Sequence, residues 1–187
     1  MTPPVAQSDI VLIGSERDQL EAFLDDNRQE ILDSLNGVTE EQARRRVVPS
    51  LTTLLGLVKH ATFVERVWFE VSLLGRTRAG LGLPEAVDPT FLFDEQDTIA
   101  NVRAEYEAAV ADARRVAANY GLDDTANFNR RGSLTLRWIY IHMVEELARH
   151  AGHADIVREL IFAADADAAT AGADAVSVSE NKAGHSQ

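Results

Sequence analysis

Apolar residues recur at intervals of three and four along several stretches of the chain, which is the spacing of one buried face of an α-helix. The first stretch, SERDQLEAFLDDNRQEILDSLNG, begins at Ser15 in a capping-box spacing with Asp18 and ends at Gly37. A short helix is predicted after Thr39. The next long helix is predicted over LTTLLGLVKHATFVERVWFEVSLLG, which ends at Gly75.

The second half of the chain predicts two further long helices. TIANVRAEYEAAVADARRVAANYG predicts a third long helix that stops at Gly121, and a fourth begins near Leu134 and continues to Phe162. Between the second and third helices, GRTRAGLGLPEAVDPTFLFDEQD predicts a long loop. No internal repeat and no strand pattern is visible. Four long helices in one small chain predict an all-α four-helix bundle.

The length of 187 residues suits a single domain with a sizeable core, and the apolar fraction of 45% is ordinary for a globular protein. We expect residues 1–13 to form an N-terminal extension and residues 14–163 to form the bundle. The remaining segment, 164–187, is rich in Ala and Asp and has almost no bulky residues. This composition predicts a disordered tail.

Charge and cysteine content exclude several kinds of partner and site. The net charge is −12, which argues against nucleic acid or an anionic membrane surface as a partner. No apolar run is long enough to span a bilayer, and MTPPVAQSDI lacks the features of a signal peptide, so a cytoplasmic location is expected. The chain has no cysteine, so any thiol chemistry needs a thiol from outside the protein.

The second helix places a histidine on its apolar face. The predicted core-facing positions alternate by three and four: Leu57, His60, Val64, Val67, Val71 and Leu74. The charged residues Lys59, Glu65, Arg66 and Glu70 fall off this face. His60 therefore occupies a position where a helical bundle normally has leucine.

The fourth helix places a carboxylate and further histidines beside its apolar face. The predicted buried positions are Leu136, Ile139, Met143, Leu147, Ala154, Val157 and Ile161. His150 lies near the middle of this face, and Glu146, His153 and His142 follow one flank of it, whereas Glu145 faces solvent. A carboxylate withdrawn from water must be paired, protonated or bound to a metal.

These positions predict a metal site. Glu146 and His150 are four residues apart, so they stand one above the other on a helix and can converge on one point. His60 from a facing helix would supply a third ligand. Two imidazoles and one carboxylate, with a water or substrate in the remaining position, are typical of a catalytic zinc site or another open divalent site.

Other interpretations of the same residues stay open. His60 alone could be a hydrogen-bonded core histidine, and Glu146 could pair with Arg149, Arg66 or Arg137. Two other metal patterns fit worse, because HExxH requires a glutamate directly after the first histidine and a di-iron site requires two Glu-x-x-His motifs. The combination of two core-facing histidines with a carboxylate favours a mononuclear site.

Two segments, VVPSLTTLLGLVKHATFVERVWF and SLTLRWIYIHMVEELARHAGHADIVRELI, resemble the signature regions of the DinB-like four-helix-bundle superfamily. Within it they are most similar to the branch known as mini-circle proteins. The resemblance extends from about Gly14 to Phe162. It implies a bundle with a long crossover connection and one divalent metal ion held by three side chains, which in many members are histidines. Glu146 departs from that pattern and matches the mycothiol-dependent maleylpyruvate isomerases, whose zinc ligands are His, Glu and His.

The resemblance implies the metal ligands residue by residue. They are His60, Glu146 and His150, with zinc as the expected ion and nickel, iron or manganese as alternatives. His153 would support the ligands or face the substrate. We expect His153 or His142 to handle a proton in catalysis, since imidazole titrates near neutral pH.

The function that the resemblance implies is a metal-dependent thiol S-transferase, as in the related mycothiol and bacillithiol S-transferases. A low-molecular-weight thiol, bound to the metal as thiolate, would attack a small electrophile. A stress protein that binds a metal or small ligand without catalysis, and a metal-dependent hydrolase, remain alternatives. A homodimer also remains open. The FLF segment at 91–93 would either cover the pocket or contribute to that dimer contact.

Overall fold

Five α-helices dominate the structure, which is a computed structural model. It describes the backbone of residues 5–183 and the side-chain environment of residues 5–170. The helices are α1 (Glu16–Asp33), α2 (Glu40–Arg44), α3 (Leu54–Arg66), α4 (Ile99–Ala117) and α5 (Leu136–Ala183). α3 continues directly into a π-helical segment, Val67–Leu73. Single 3₁₀ turns lie at Ser8–Ile10, Ala79–Leu81 and Asp88–Phe91.

The predicted helix starts at Ser15 and Thr39 are confirmed. The Ser15 hydroxyl accepts a hydrogen bond from the Asp18 N–H at 3.2 Å, and the Asp18 carboxylate accepts one from the Ser15 N–H. Thr39 and Gln42 form the same reciprocal pair at the start of α2. These bonds satisfy backbone donors that have no partner inside the helix.

α1 runs parallel to α5 and antiparallel to α4. In its first turn, Arg17 donates hydrogen bonds to the Ala117 carbonyl at the end of α4 and to the Tyr140 hydroxyl near the start of α5, at 3.0 and 3.4 Å. At the opposite end of the bundle, Arg158 of α5 donates to the Ser34 carbonyl at 2.8 Å. These contacts fix the relative directions of three of the four long helices.

α3 and α4 are successive long helices but run parallel. Lys59 in α3 pairs with Asp97, just before α4, at 2.6 Å, and the Tyr120 hydroxyl after α4 donates to the Leu73 carbonyl at 3.4 Å. α3 and its π-helical continuation are about 30 Å long at helical rise, so residues 74–98 must return along the whole bundle. This is the long crossover connection implied by the resemblance, and the all-α four-helix bundle is confirmed.

The predicted buried face of α5 is confirmed along its length. Its seven members are each at most 2% exposed: Leu136, Ile139, Met143, Leu147, Ala154, Val157 and Ile161. They pack with apolar side chains of the other long helices in one continuous core. The periodic pattern therefore placed correctly the apolar face beside which Glu146 lies.

The predicted face of the second helix is wrong beyond Val64. Leu74 is 40% exposed, whereas Glu65 and Glu70 are buried. The π-helical segment has more residues per turn than an α-helix, so it rotates the following side chains away from the expected phase. Glu65 lies before that segment and is buried because Arg28 of α1 donates two hydrogen bonds to its carboxylate, at 2.8 and 2.7 Å.

The C-terminal segment differs from the predicted disordered tail. α5 continues to Ala183, and residues 184–187 lie outside the described part of the chain. Alanine has the highest helix propensity, and Asp165 accepts hydrogen bonds from Gln42 and Arg45, so the start of the segment is attached to α2. The domain boundaries predicted at residues 13 and 163 stay predictions. Within residues 5–183, no helix combines the length and apolar character needed to cross a membrane.

A short β-ribbon immediately precedes α5, although the sequence predicted no strand. β1 (Thr125–Ala126) pairs antiparallel with β2 (Leu134–Thr135), with Thr125 opposite Thr135. Two-residue strands are too short to produce an alternating pattern in the sequence. The loop that connects its strands, residues 127–133, lies beside the π-helical continuation of α3, where Arg131 contacts Trp68.

Candidate metal centre

The structure brings together the three predicted ligands, His60 from α3 and Glu146 and His150 from α5. Oε1 of Glu146 lies 3.4 Å from Nε2 of His60 and 3.2 Å from Nε2 of His150. A tetrahedral zinc ion with bonds of about 2.0–2.1 Å separates its ligand atoms by about 3.3 Å. These two distances match that spacing, and all three donor atoms lie within 4.8 Å of one another, so the donor set could hold one divalent ion.

The protonation of these groups suits a metal site. Hydrogen bonds with His150 and His60 hold the pKa of the Glu146 carboxyl far below its usual range, so the group is an anion. Burial lowers the pKa of His60, which favours the neutral imidazole that a metal requires. The side chain of Glu146 is 17% exposed and that of His60 5%, so both donors lie inside the bundle.

Arginine pairing of Glu146, the alternative to a metal, is only partial. Arg149 lies 3.4 Å from Oε2 of Glu146 but makes its shorter contact, 2.5 Å, with Glu145. Arg66 pairs with the carboxylate of Glu70, and Arg137 pairs with acidic groups at the start of α1 and in the 118–124 connection. Oε1 of Glu146 thus stays between the two imidazoles.

Thr90, which no pattern in the sequence indicated, orients His60. Nδ1 of His60 lies 2.7 Å from Oγ1 of Thr90, and the Thr90 hydroxyl donates its own proton to the Val87 carbonyl at 2.6 Å. Because that proton is used, Thr90 accepts the Nδ1–H of His60. In the neutral imidazole this leaves the lone pair on Nε2, where a metal ion would replace the hydrogen-bond contact with Glu146. A second hydrogen bond of this kind fixes the tautomer and ring orientation of metal-binding histidines.

A glycine in α3 permits this arrangement. A Cβ atom on Gly56 would lie 2.6 Å from the Phe91 carbonyl oxygen, so only glycine lets the Asp88–Phe91 turn pack this closely against the helix. The Phe91 ring then stacks on the His60 ring, with centroids 4.2 Å apart and planes 12° apart. The contact of Phe91 with His60 favours the first of the two roles considered for the FLF segment, and the dimer contact stays a prediction. A lone glycine in an apolar helical stretch was the available signal.

We expect Thr90→Val to weaken metal binding by about 10- to 100-fold, because it removes the acceptor of the His60 N–H while preserving side-chain shape. Zinc affinity can be measured by competition with a chromophoric chelator. Thr90→Ser keeps the hydroxyl and serves as the matched control, with near wild-type affinity. Equal affinities for wild type and Thr90→Val would show that this hydrogen bond has no part in ordering the ligand.

An open cavity of about 710 Å³ lies next to the three candidate ligands, all of which line it. Apolar and aromatic side chains of α3 form one wall, and the loop of the β-ribbon forms another. Among the described residues, no fourth His, Cys, Asp or Glu joins the ligand group. Three protein ligands beside an open cavity are typical of catalytic rather than structural metal sites.

The two histidines predicted to handle protons lie in different places. His142 lines the cavity, and burial lowers its pKa. Its ring stacks on Trp138 and lies edge-on to Trp68, with centroid distances of 5.0 and 4.8 Å. His153 is exposed and lines a separate small groove, although its ring centroid is 5.7 Å from that of His150. Of these two histidines, only His142 lines the cavity.

Comparison with known proteins agrees with the geometry. Residues 19–163 match the family model described as mycothiol-S-transferase, whereas no curated protein matches the chain. The matched range spans α1, α3 and α4 almost completely and the part of α5 that carries Glu146 and His150. The chain therefore belongs to the mycothiol-S-transferase family.

Proposed function

We propose that the protein is a metal-dependent S-transferase that uses a low-molecular-weight thiol, mycothiol, with zinc as its ion. The observation that carries this proposal is the convergence of His60, Glu146 and His150 on an open cavity in a chain without cysteine. Family membership supports a thiol as one of the two substrates.

The residues of the chain have distinct parts in the proposed reaction. His60, Glu146 and His150 would hold the ion, and the ion would supply the positive charge that lowers the pKa of a thiol in the cavity. The Glu146 anion offsets part of the positive charge of the ion, and Thr90 keeps Nε2 of His60 as the ligand atom. His142 is the proposed acceptor of the thiol proton, because it is the remaining imidazole of the cavity.

The covalent step joins sulfur to carbon. A sulfur lone pair forms the C–S bond, and the electron pair of the bond that breaks departs with the leaving group. In an addition to an activated double bond, the bond that breaks is the π bond. Its electron pair passes to the neighbouring carbon, which takes up a proton. The volume of the cavity is within the range of small-molecule sites, about 300–1,000 Å³.

The test is thiol-dependent product formation by zinc-loaded protein. Mycothiol is incubated with an aryl chloride, an alkyl halide and an α,β-unsaturated carbonyl compound, and the products are identified by mass spectrometry. We expect S-conjugates above the uncatalysed background, and only background with metal-free protein. Absence of both conjugation and mycothiol binding would contradict the proposal.

Water could take the place of the thiol at the ion, so a metal-dependent hydrolase is the second candidate. Product that forms equally well without thiol would favour it. Binding of metal and thiol without turnover of any electrophile would instead favour a non-catalytic binding protein. Cytoplasmic location and homodimer formation stay predictions.

A further inference from the structure

The cavity beside the candidate metal centre has a cationic wall, although the protein as a whole has a net charge of −12. Its lining includes four arginines and two glutamates: Arg78, Arg130, Arg131, Arg149, Glu85 and Glu146. A divalent ion at the three ligands would make the cavity still more positive. A cleft lined mainly by one sign of charge attracts ligands of the opposite sign.

Two of these arginines have no hydrogen-bond acceptor for their side chains among residues 5–170. Arg149 is paired with Glu145, and Arg78 donates to the Glu85 carbonyl at 2.6 Å. By contrast, the guanidinium groups of Arg130 and Arg131 make no hydrogen bond or ion pair within residues 5–170. Every other arginine of that range has at least one carboxylate or carbonyl partner, from Arg17 through to Arg158.

Aromatic rings hold Arg131 in position. Its guanidinium carbon lies 5.4 Å from the centroid of the Trp68 ring and 5.6 Å from that of Trp138. The centroids of the two indole rings are 5.4 Å apart. Trp68 is 7% exposed and belongs to the core, whereas Trp138 is 38% exposed and lies at the surface. An arginine held over aromatic faces keeps its N–H groups free to donate to a planar, bidentate acceptor such as a carboxylate.

The backbone of the ribbon loop is also fixed. The Asn129 side chain accepts a hydrogen bond from the Arg131 N–H and donates one to the Gly132 carbonyl, each at 2.9 Å. Gly132 has a φ of +88°, which a side-chain-bearing residue rarely adopts. These features order the loop before any ligand arrives, which lowers the entropic cost of binding.

We propose that Arg131, assisted by Arg130, binds a carboxylate of the electrophilic substrate, so that the acceptor of the thiol is a small organic acid. This inference rests on the proposed function and specifies the second substrate of that same site. The anion belongs to the electrophile because mycothiol itself carries no carboxylate. Arg131 is thus a residue that determines substrate specificity, and a neutral acceptor of the same size would bind less tightly.

The test compares two product analogues by calorimetry on the zinc-loaded protein: S-carboxymethyl-mycothiol and S-carbamoylmethyl-mycothiol. The first carries a carboxylate where the second carries a neutral amide of nearly the same shape. We expect wild type to bind the acid at least about tenfold more tightly, as one charge-assisted hydrogen bond allows. The double variant Arg130→Gln/Arg131→Gln should lose this preference and keep the affinity for the amide.

Arg115→Gln is the control for loss of a cationic side chain elsewhere. It removes one positive charge, where the double variant removes two, from an exposed site on α4 away from the cavity lining, and it should keep the preference. The preference of wild type should also diminish at high salt, which screens exposed charges. Equal affinities of wild type for the two conjugates would overturn the carboxylate assignment and leave the proposed function intact. A preference that survives in the double variant would overturn the role of the arginines. If neither conjugate binds, the proposed thiol site fails as well.

Discussion

Replacing Glu146 with glutamine is expected to weaken metal binding by more than about 100-fold and to abolish thiol transfer. The substitution preserves shape but removes the anionic member of the ligand set, and loss of a direct ligand should cost more than the about 10- to 100-fold typical of supporting residues. Metal binding is measured as the metal content after exhaustive dialysis, by inductively coupled plasma mass spectrometry. The rate of S-conjugate formation reports the catalysis.

The neighbouring glutamate provides the matched control. Glu145→Gln makes the same chemical change on the exposed side of the same helix and should leave metal content and rate unchanged. His60→Ala should lose the ion as Glu146→Gln does, because it removes a ligand from the other helix. Full metal occupancy in both His60→Ala and Glu146→Gln would contradict the metal site.

Replacing Glu146 with histidine should have a different outcome. The sequence resembles a superfamily in which many members have histidine here, so Glu146→His is expected to keep one ion per chain. The neutral ligand leaves one more unit of positive charge at the site, which should lower the pKa of a bound thiol further. Since nucleophilicity falls with thiol pKa, we expect slower transfer at saturating thiol.

The largest expected effect on stability comes from the buried ion pair between α1 and α3. Arg28 and Glu65 are 6% and 0% exposed at their side chains and share two hydrogen bonds. Glu65→Leu leaves the guanidinium buried with Asp25 as its remaining carboxylate partner. Removal of one member of a buried pair typically costs about 3–5 kcal/mol, so the free energy of unfolding should fall by that amount in urea titrations.

The double variant Arg28→Met/Glu65→Leu separates pairing from packing. With both charges gone, no buried ion is left without a partner, and most of the lost stability should return. Asp112→Asn, which breaks an exposed ion pair on α4, is the control and should change the free energy of unfolding by less than about 1 kcal/mol. A double variant that is no more stable than Glu65→Leu would show that the pair matters through its packing.

The helices and the three candidate ligand positions could be predicted because the apolar faces that carry them are periodic. The apolar face of α5 is regular over the whole length of the bundle, so a glutamate and a histidine on that face stood out in the sequence. His60 could be assigned from α3 because it precedes the π-helical segment. Beyond Val64 the same reasoning failed, since a change in residues per turn leaves no mark in an apolar pattern.

The residues that complete the site could not be predicted from the sequence. Thr90 and Arg131 lie in a crossover connection and a ribbon loop, where no period relates a position to a face. Their places are set by distant contacts: the approach of a turn to Gly56, and the stacking of a guanidinium on two indoles. The burial of Glu65 similarly depends on a partner 37 residues away in the chain.

X-ray absorption at the zinc edge tests most directly whether the three residues hold an ion that takes up a thiol. The chain has no cysteine, so a thiolate bound to the metal must come from the added thiol. Without thiol, we expect only nitrogen and oxygen neighbours at about 2.0–2.2 Å. With mycothiol, one sulfur neighbour should appear at about 2.3 Å in wild type. A nitrogen and oxygen shell that saturating mycothiol leaves unchanged would contradict the account.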